Sequence, residues 1–283
     1  MSDFVEIYEM APRDGLQNEP RAISVAEKVA LIDALSGVGF RRIEVGSFVS
    51  PKWVPQMAGS EAVFAAIARV PGVRYGALTP NLKGYEAARA ARADEVAIFA
   101  SASEGFSRAN LNCSIAESLE RFAPVAAAAA ADGIPLRGYV SMVTDCPFDG
   151  PVAPGAVARV VAALRGLGCH EVSLGDTVGQ ARPEAVDAML AAVLEEAEPA
   201  QLAGHFHDTA GRALANIEVS LGRGLRVFDA CAGGLGGCPY APGAAGNVAS
   251  ERVAARLAEL GYETGLDLEK LAAAAAMARG LRG

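Results

Sequence analysis

A chain of 283 residues, 52% of them hydrophobic, can bury a substantial core, which excludes a disordered or fibrous protein. Its 33 acidic residues outnumber 25 basic ones for a net charge of -8, and no run of Lys and Arg offers the footprint of a nucleic-acid binder. Residues 1–10 lack the basic start and apolar core of a signal peptide, and no stretch reaches the roughly 18 apolar residues of a membrane span. The composition therefore predicts a soluble, cytoplasmic protein with no nucleic-acid or membrane partner.

The chain opens on a β-rich segment, Val5 to Glu9, followed by the polar run Pro12-Arg13-Asp14-Gly15-Leu16-Gln17-Asn18-Glu19. A capping box of Ser24 with Glu27 starts a helix that runs to Leu35. The next β-rich segment, Arg42 to Val45, carries one acid, Glu44, between Ile43 and Val45. Helical spacing over Glu61 to Arg69 precedes strands over Val73 to Leu78 and Glu95 to Ala100. Ser114 with Glu117 opens a long helix to Ala131, stopped by Asp132-Gly133. The tracts Ala126–Ala131 and Ala272–Ala276 read as ordinary helix, because Ala is the best helix former and apolar residues recur around both.

Further strands follow over Leu136 to Ser141, Glu171 to Leu174, Ala203 to His207 and Arg226 to Ala230, separated by helices over Val157 to Leu167, Pro183 to Glu195 and Leu214 to Leu221. Gly166 to Gly168 stop the first of these helices. A Gly-rich loop occupies residues 233–246, and Asn247 is expected to open the last barrel helix, which carries Glu251. Eight βα units in a chain of this length predict one TIM (β/α)8 barrel over residues 1–283, rather than an open doubly wound sheet. Reactive groups should then lie at the carboxyl ends of the strands.

Polar residues do gather there. His205 and His207 are two apart on a strand and so face the same side, where both imidazoles can bind one ion. With Asp14 and Asn247 they compose a mixed oxygen and nitrogen shell suited to Mg2+ or Mn2+, with positions left open for substrate oxygens. Hydrogen-bonded core histidines, a turn role for Asp14 and a helix cap at Asn247 are the alternatives. Arg13 at a barrel mouth needs an anionic partner, such as a developing enolate or a substrate carboxylate. Glu44 can pair with Arg13, orient a ligand, or sit as a solvated rim charge. The five cysteines, Cys113, Cys146, Cys169, Cys231 and Cys238, are scattered without zinc spacing and read as thiols. Cys238 stands near the tip of the Gly-rich loop, either idle or delivered to substrate by a closing lid.

Residues 12–19, the run Glu44-Val45-Gly46-Ser47-Phe48-Val49-Ser50-Pro51-Lys52-Trp53-Val54-Pro55-Gln56-Met57 and residues 233–246 closely resemble the 3-hydroxy-3-methylglutaryl-CoA lyase family. Ser101–Glu104, Asn112–Ile115, Arg137–Ser141 and His205–Thr209 match it too, so the resemblance covers nearly the whole chain. It implies cleavage of 3-hydroxy-3-methylglutaryl-CoA to acetyl-CoA and acetoacetate, as in leucine degradation and ketone-body formation, by a homodimer. The family's metal ligands fall on Asp14, His205, His207 and Asn247, its catalytic arginine and loop cysteine on Arg13 and Cys238, and supporting acids on Glu44 and Asp176. Phe206 and Thr144-Asp145 depart from the family pattern and are expected to bear on the acyl chain accepted.

A retro-Claisen reaction needs a base at or near Asp14, a donor such as Arg13 for the thioester carbonyl, and an acid such as Cys238 for the enolate. CoA is a polyanion, and Lys52, Arg108 and Arg137 are the basic residues nearest its groove by position. The competing readings are a lyase for a longer 3-hydroxy-3-alkylglutaryl-CoA, a 2-isopropylmalate synthase-like condensing enzyme, against which the cysteine loop argues, and a non-catalytic metal-binding barrel.

Overall fold

The protein is described by a computed structural model covering residues 4–237 and 246–282. Eight parallel strands close into a barrel: β1 (Glu6–Glu9), β2 (Arg42–Ser47), β3 (Arg74–Leu78), β4 (Glu95–Ser101), β5 (Leu136–Ser141), β6 (Glu171–Asp176), β7 (Leu202–Phe206) and β8 (Val227–Ala230). Each strand pairs with its neighbours in sequence, and β1 closes the ring on β8 with Tyr8 opposite Asp229. The predicted TIM barrel is therefore the observed fold. Helices α1 (Val25–Ser36), α2 (Ser60–Ala66), α3 (Leu82–Ala90), α4 (Glu104–Leu111), α5 (Ile115–Asp132), α6 (Pro154–Gly166), α7 (Pro183–Val193), α8 (Ala213–Gly222), α9 (Ser250–Glu259) and α10 (Leu268–Arg279) flank it.

Both predicted capping boxes form. Ser24 and Ser114 accept from the backbone of Glu27 and Glu117, whose carboxylates accept in return, and Gly133 ends α5 in the left-handed conformation at φ 68°. The alanine tracts lie in α5 and α10 as expected. Three features differ from the sequence reading. Two helices, α4 and α5, follow β4 where the repeat expects one, a hairpin pairs Asp145–Cys146 with Gly150–Pro151 after β5, and α9 begins at Ser250 with Ala249 as its cap. Asn247 thus lies before the helix and does not cap it.

The barrel interior holds charge where bulky aliphatic residues are usual. Arg137 is wholly buried there, with Nε 2.6 Å from Glu171 and its two terminal nitrogens 3.1 and 2.7 Å from the Asp229 carboxylate. Glu171 also receives both terminal nitrogens of Arg42, at 3.0 and 3.1 Å, and Arg42 Nε donates to Glu6 at 2.6 Å. The two arginines flank the Tyr8 ring, 4.6 and 4.7 Å from its centroid. Opposite, a Cβ on Gly76 would overlap the Tyr8 hydroxyl, so glycine makes room for the phenol inside the ring of strands. Ion pairs this deep persist only because each charge is matched and hydrogen-bonded.

Candidate active site

Four strand ends supply the polar residues at one mouth of the barrel. After β1 the chain makes a π-turn over Ala11–Gly15, in which Gly15 N donates to Met10 O at 3.1 Å and Leu16 N to Ala11 O at 3.0 Å. That turn places Arg13 and Asp14 over the barrel. Arg13 Nε pairs with Glu44 of β2, and its Nη1 lies 2.5 Å from Asp14 Oδ1. Glu44 accepts a second hydrogen bond, 3.0 Å, from the Tyr139 hydroxyl of β5, and the guanidinium sits 5.4 Å from the Tyr139 ring centroid. Burial pushes the Glu44 carboxyl up, opposed by the Arg13 charge. Of the readings open for Glu44, the solvated rim charge is excluded, since the residue has no exposure.

His205 is the penultimate residue of β7 and His207 directly follows the strand, with ring centroids 5.3 Å apart. Their Nε2 atoms lie 3.7 and 3.8 Å from Asp14 Oδ2. One ligand atom from each of Asp14, His205 and His207 lies within 4.8 Å of the others, a separation that one cation can span. Asn247 joins them because its segment is stitched to the end of β7: Asp208 N donates to Gly246 O at 2.9 Å and Val248 N to Phe206 O at 3.1 Å. The Asn247 amide donates to Asp14 Oδ2 at 2.8 Å, over Gly236, whose φ of 107° and missing side chain permit the approach.

The chemistry of this set fits a divalent cation. Asn247 Oδ1 and His207 Nδ1 are buried without a hydrogen-bond partner, and the first is an oxygen acceptor beside Asp14. Burial alone would raise the Asp14 carboxyl, but the Arg13 charge and the two nearby histidines hold it well below the usual carboxylate range. An anionic oxygen, two imidazoles and an amide oxygen are a donor set that would hold a divalent cation.

Of the remaining predicted residues, Asp176 stays beside the histidines, its backbone oxygen accepting from His207 N at 3.4 Å. Asp176 ends β6 and uses its carboxylate to accept from Gln180 N at 3.2 Å and Ala181 N at 3.1 Å, shaping the loop, while burial raises it to about 6. Arg108 lines the open cavity of about 1050 Å³ above the site and is exposed; Lys52 is exposed beside it, and the neighbouring Trp53 borders the cavity. Arg137 does not: it lies inside the barrel with no exposure and each of its three guanidinium nitrogens bonded to Glu171 or Asp229, so it is not a CoA-groove residue. Phe206 and Thr144-Asp145 are not among the described residues that border the cavity. Cys113, Cys146, Cys169 and Cys231 are buried thiols, and Cys238 lies outside the described residues.

Sequence reasoning missed Tyr139 and Asp229. Each carried a usable signal. Asp229 is a lone acid in Val227–Ala230, the same anomaly that singled out Glu44, and Tyr139 shares strand parity with Arg137, so both face inward.

Comparison with known proteins agrees with this geometry. Hydroxymethylglutaryl-CoA lyase of Pseudomonas mevalonii is 55% identical over 268 residues, 95% of this chain and 89% of its own length. A 3-hydroxy-3-isohexenylglutaryl-CoA/hydroxy-methylglutaryl-CoA lyase of Pseudomonas aeruginosa is 57% identical over 94% of this chain and 89% of its own. The crystal structure of the HMG-CoA lyase from Brucella melitensis superposes with a TM-score of 0.98 at 62% identity, covering 99% of each chain. With the HMGL-like family matching residues 4–278, the chain belongs to that family.

Proposed function

We propose that the protein is a metal-dependent lyase that cleaves 3-hydroxy-3-methylglutaryl-CoA to acetyl-CoA and acetoacetate. The observation that carries this reading is the convergence of Asp14, His205, His207 and the orphaned Asn247 oxygen beside a buried arginine at the mouth of a large cavity. Asp14, His205, His207 and Asn247 would hold a Mg2+ or Mn2+ ion there, which would supply Lewis-acid chemistry toward a substrate alcohol. Breaking the carbon–carbon bond turns the tertiary hydroxyl carbon into the ketone of acetoacetate and leaves the acetyl-CoA enolate. Asp14, ionised at neutral pH, is the base nearest the site for the hydroxyl proton. Arg13 keeps donor capacity between two carboxylates and stabilises the thioester oxygen as it gains enolate charge. Cys238 is assigned the final proton transfer to carbon.

The purified protein with Mg2+ and 3-hydroxy-3-methylglutaryl-CoA should form acetoacetate, and a scaffold would form none. His207→Ala should lose metal, read as ion content per chain after gel filtration; unchanged stoichiometry would refute the ligand assignment. Cys238→Ala should lose most turnover and retain metal, and equal turnover would remove that role. A second reading, cleavage of longer 3-hydroxy-3-alkylglutaryl-CoA esters, is favoured by the apolar flank of the cavity at Leu78, Phe99, Phe106 and Val140. Comparing kcat/KM across a series of 3-alkyl substrates separates the two.

A further inference from the structure

We propose that Asp229 is a positioning residue for His205, held by Arg137 and Ser173, and that this buried network fixes which ring nitrogen of His205 faces the cation. The inference rests on the metal reading above. Asp229 Oδ2 lies 3.1 Å from His205 Nδ1, and the same oxygen receives Ser173 Oγ at 2.7 Å and Arg137 Nη1 at 3.1 Å. Its Oδ1 takes Arg137 Nη2 at 2.7 Å. A carboxylate flanked by a guanidinium only accepts, so Nδ1 of His205 must carry the hydrogen. In the neutral ring the lone pair then resides on Nε2, the atom 3.7 Å from Asp14 Oδ2. Carboxylates that hold a metal-binding imidazole in this way fix its tautomer and raise its basicity.

The support extends to the barrel floor. Arg137 is gripped by Glu171, Glu171 by Arg42, and Arg42 by Glu6, so the Asp229 carboxylate cannot rotate without breaking a chain of charge-assisted bonds across β1, β2, β5, β6 and β8. Asp229 is 1% exposed and does not border the cavity, so it acts through His205 and not on substrate. His207 contrasts with it: its Nδ1 has no partner, and the residue is placed by its backbone bridge to Asn247. One imidazole is thus oriented from below by side chains and the other by main chain.

An ion pair that only neutralised Arg137 would affect stability without touching the imidazole. The test therefore reads metal affinity and tautomer. Mn2+ titration followed by electron paramagnetic resonance should show Asp229→Asn weakened about 10- to 100-fold, and Ser173→Ala weakened by a smaller factor, with unchanged circular dichroism. Two-bond 1H–15N correlation spectra of the metal-free protein in alkaline buffer should show His205 as the Nδ1–H tautomer, with the Nε2–H form gaining in Asp229→Asn. A folded Asp229→Asn binding Mn2+ within about twofold of wild type, or a wild-type His205 in the Nε2–H form, overturns the proposal. Should Asp229→Asn not fold, Ser173→Ala and the wild-type spectrum decide it. Wild-type protein that binds no Mn2+ rejects the metal reading itself, whereas wild-type binding with unaltered variants rejects only the role of Asp229.

Discussion

Arg13 is the residue on which the site turns. Its guanidinium bridges Glu44 and Asp14 and stacks near Tyr139, so its position is set from three sides before any substrate arrives. Lysine could not reproduce this, since a single ammonium lacks the planar fork that bridges two carboxylates. Arg13→Lys and Arg13→Met should each lower kcat by about 100-fold or more while the bound metal per chain is unchanged. Turnover near wild type in either variant would show that the donor to the carbonyl lies elsewhere. The sequence made Arg13, Asp14 and the two histidines legible because their polarity is anomalous at strand ends. It left Arg137 misplaced, because a basic residue on a strand looks the same from sequence whether it faces a mouth or a buried acid.

At the scale of elements, the ends of helices are written locally and their existence is not always. The Ser114 box caps α5 with Glu117 N to Ser114 Oγ at 3.2 Å and Ser114 N to Glu117 Oε2 at 2.8 Å. Ser114→Ala should cost about 1 kcal/mol, lowering Tm by about 2–4 °C in a domain of this size without changing kcat. A calorimetric scan with no shift would mean that the box adds nothing beyond the packing of α5. Helix α4 has no place in a repeat of one helix per strand, and only Phe106 and Ser107 of it are buried. So few core contacts barely sample a 3.6-residue period. Asn247 erred in the other direction. An Asn before a helix looks like a cap, and tertiary pairing with β7 turned its side chain to Asp14.

Across the whole molecule, closing the ring of strands buries acids that lie far apart in sequence. Glu9 of β1 is fully buried and accepts from Ala11 N and Ala232 N, both at 2.9 Å, and from Ser250 Oγ at 2.7 Å, joining β1 to the chain after β8 and to α9. Burial outweighs those hydrogen bonds and raises its carboxyl from 4.5 to about 7. The folded state therefore keeps a proton that the unfolded chain releases, and this contribution is complete below pH 4.5 and is lost as pH rises through about 7. Urea unfolding at about pH 5 and about pH 8 should differ by an amount on the order of 3 kcal/mol from this group, and Glu9→Gln should flatten that difference. An equal pH dependence in wild type and variant would show that the carboxylate is ionised in the folded state.

The alternation of β-rich and helical segments determined the barrel by itself, because strand and helix periods and caps are set by neighbours in sequence. The candidate ligands were legible for a related reason: strand parity places His205 and His207 on one side, and the run around Arg13 carries its resemblance in consecutive residues. Tertiary structure alone decided which charges meet. Asp229 reaches His205 from the neighbouring strand, Arg137 turns inward to hold it, and Asn247 arrives through a backbone bridge. Those pairings depend on the register between strands distant in sequence and on burial that strengthens matched charges, and neither is encoded in any short run of residues.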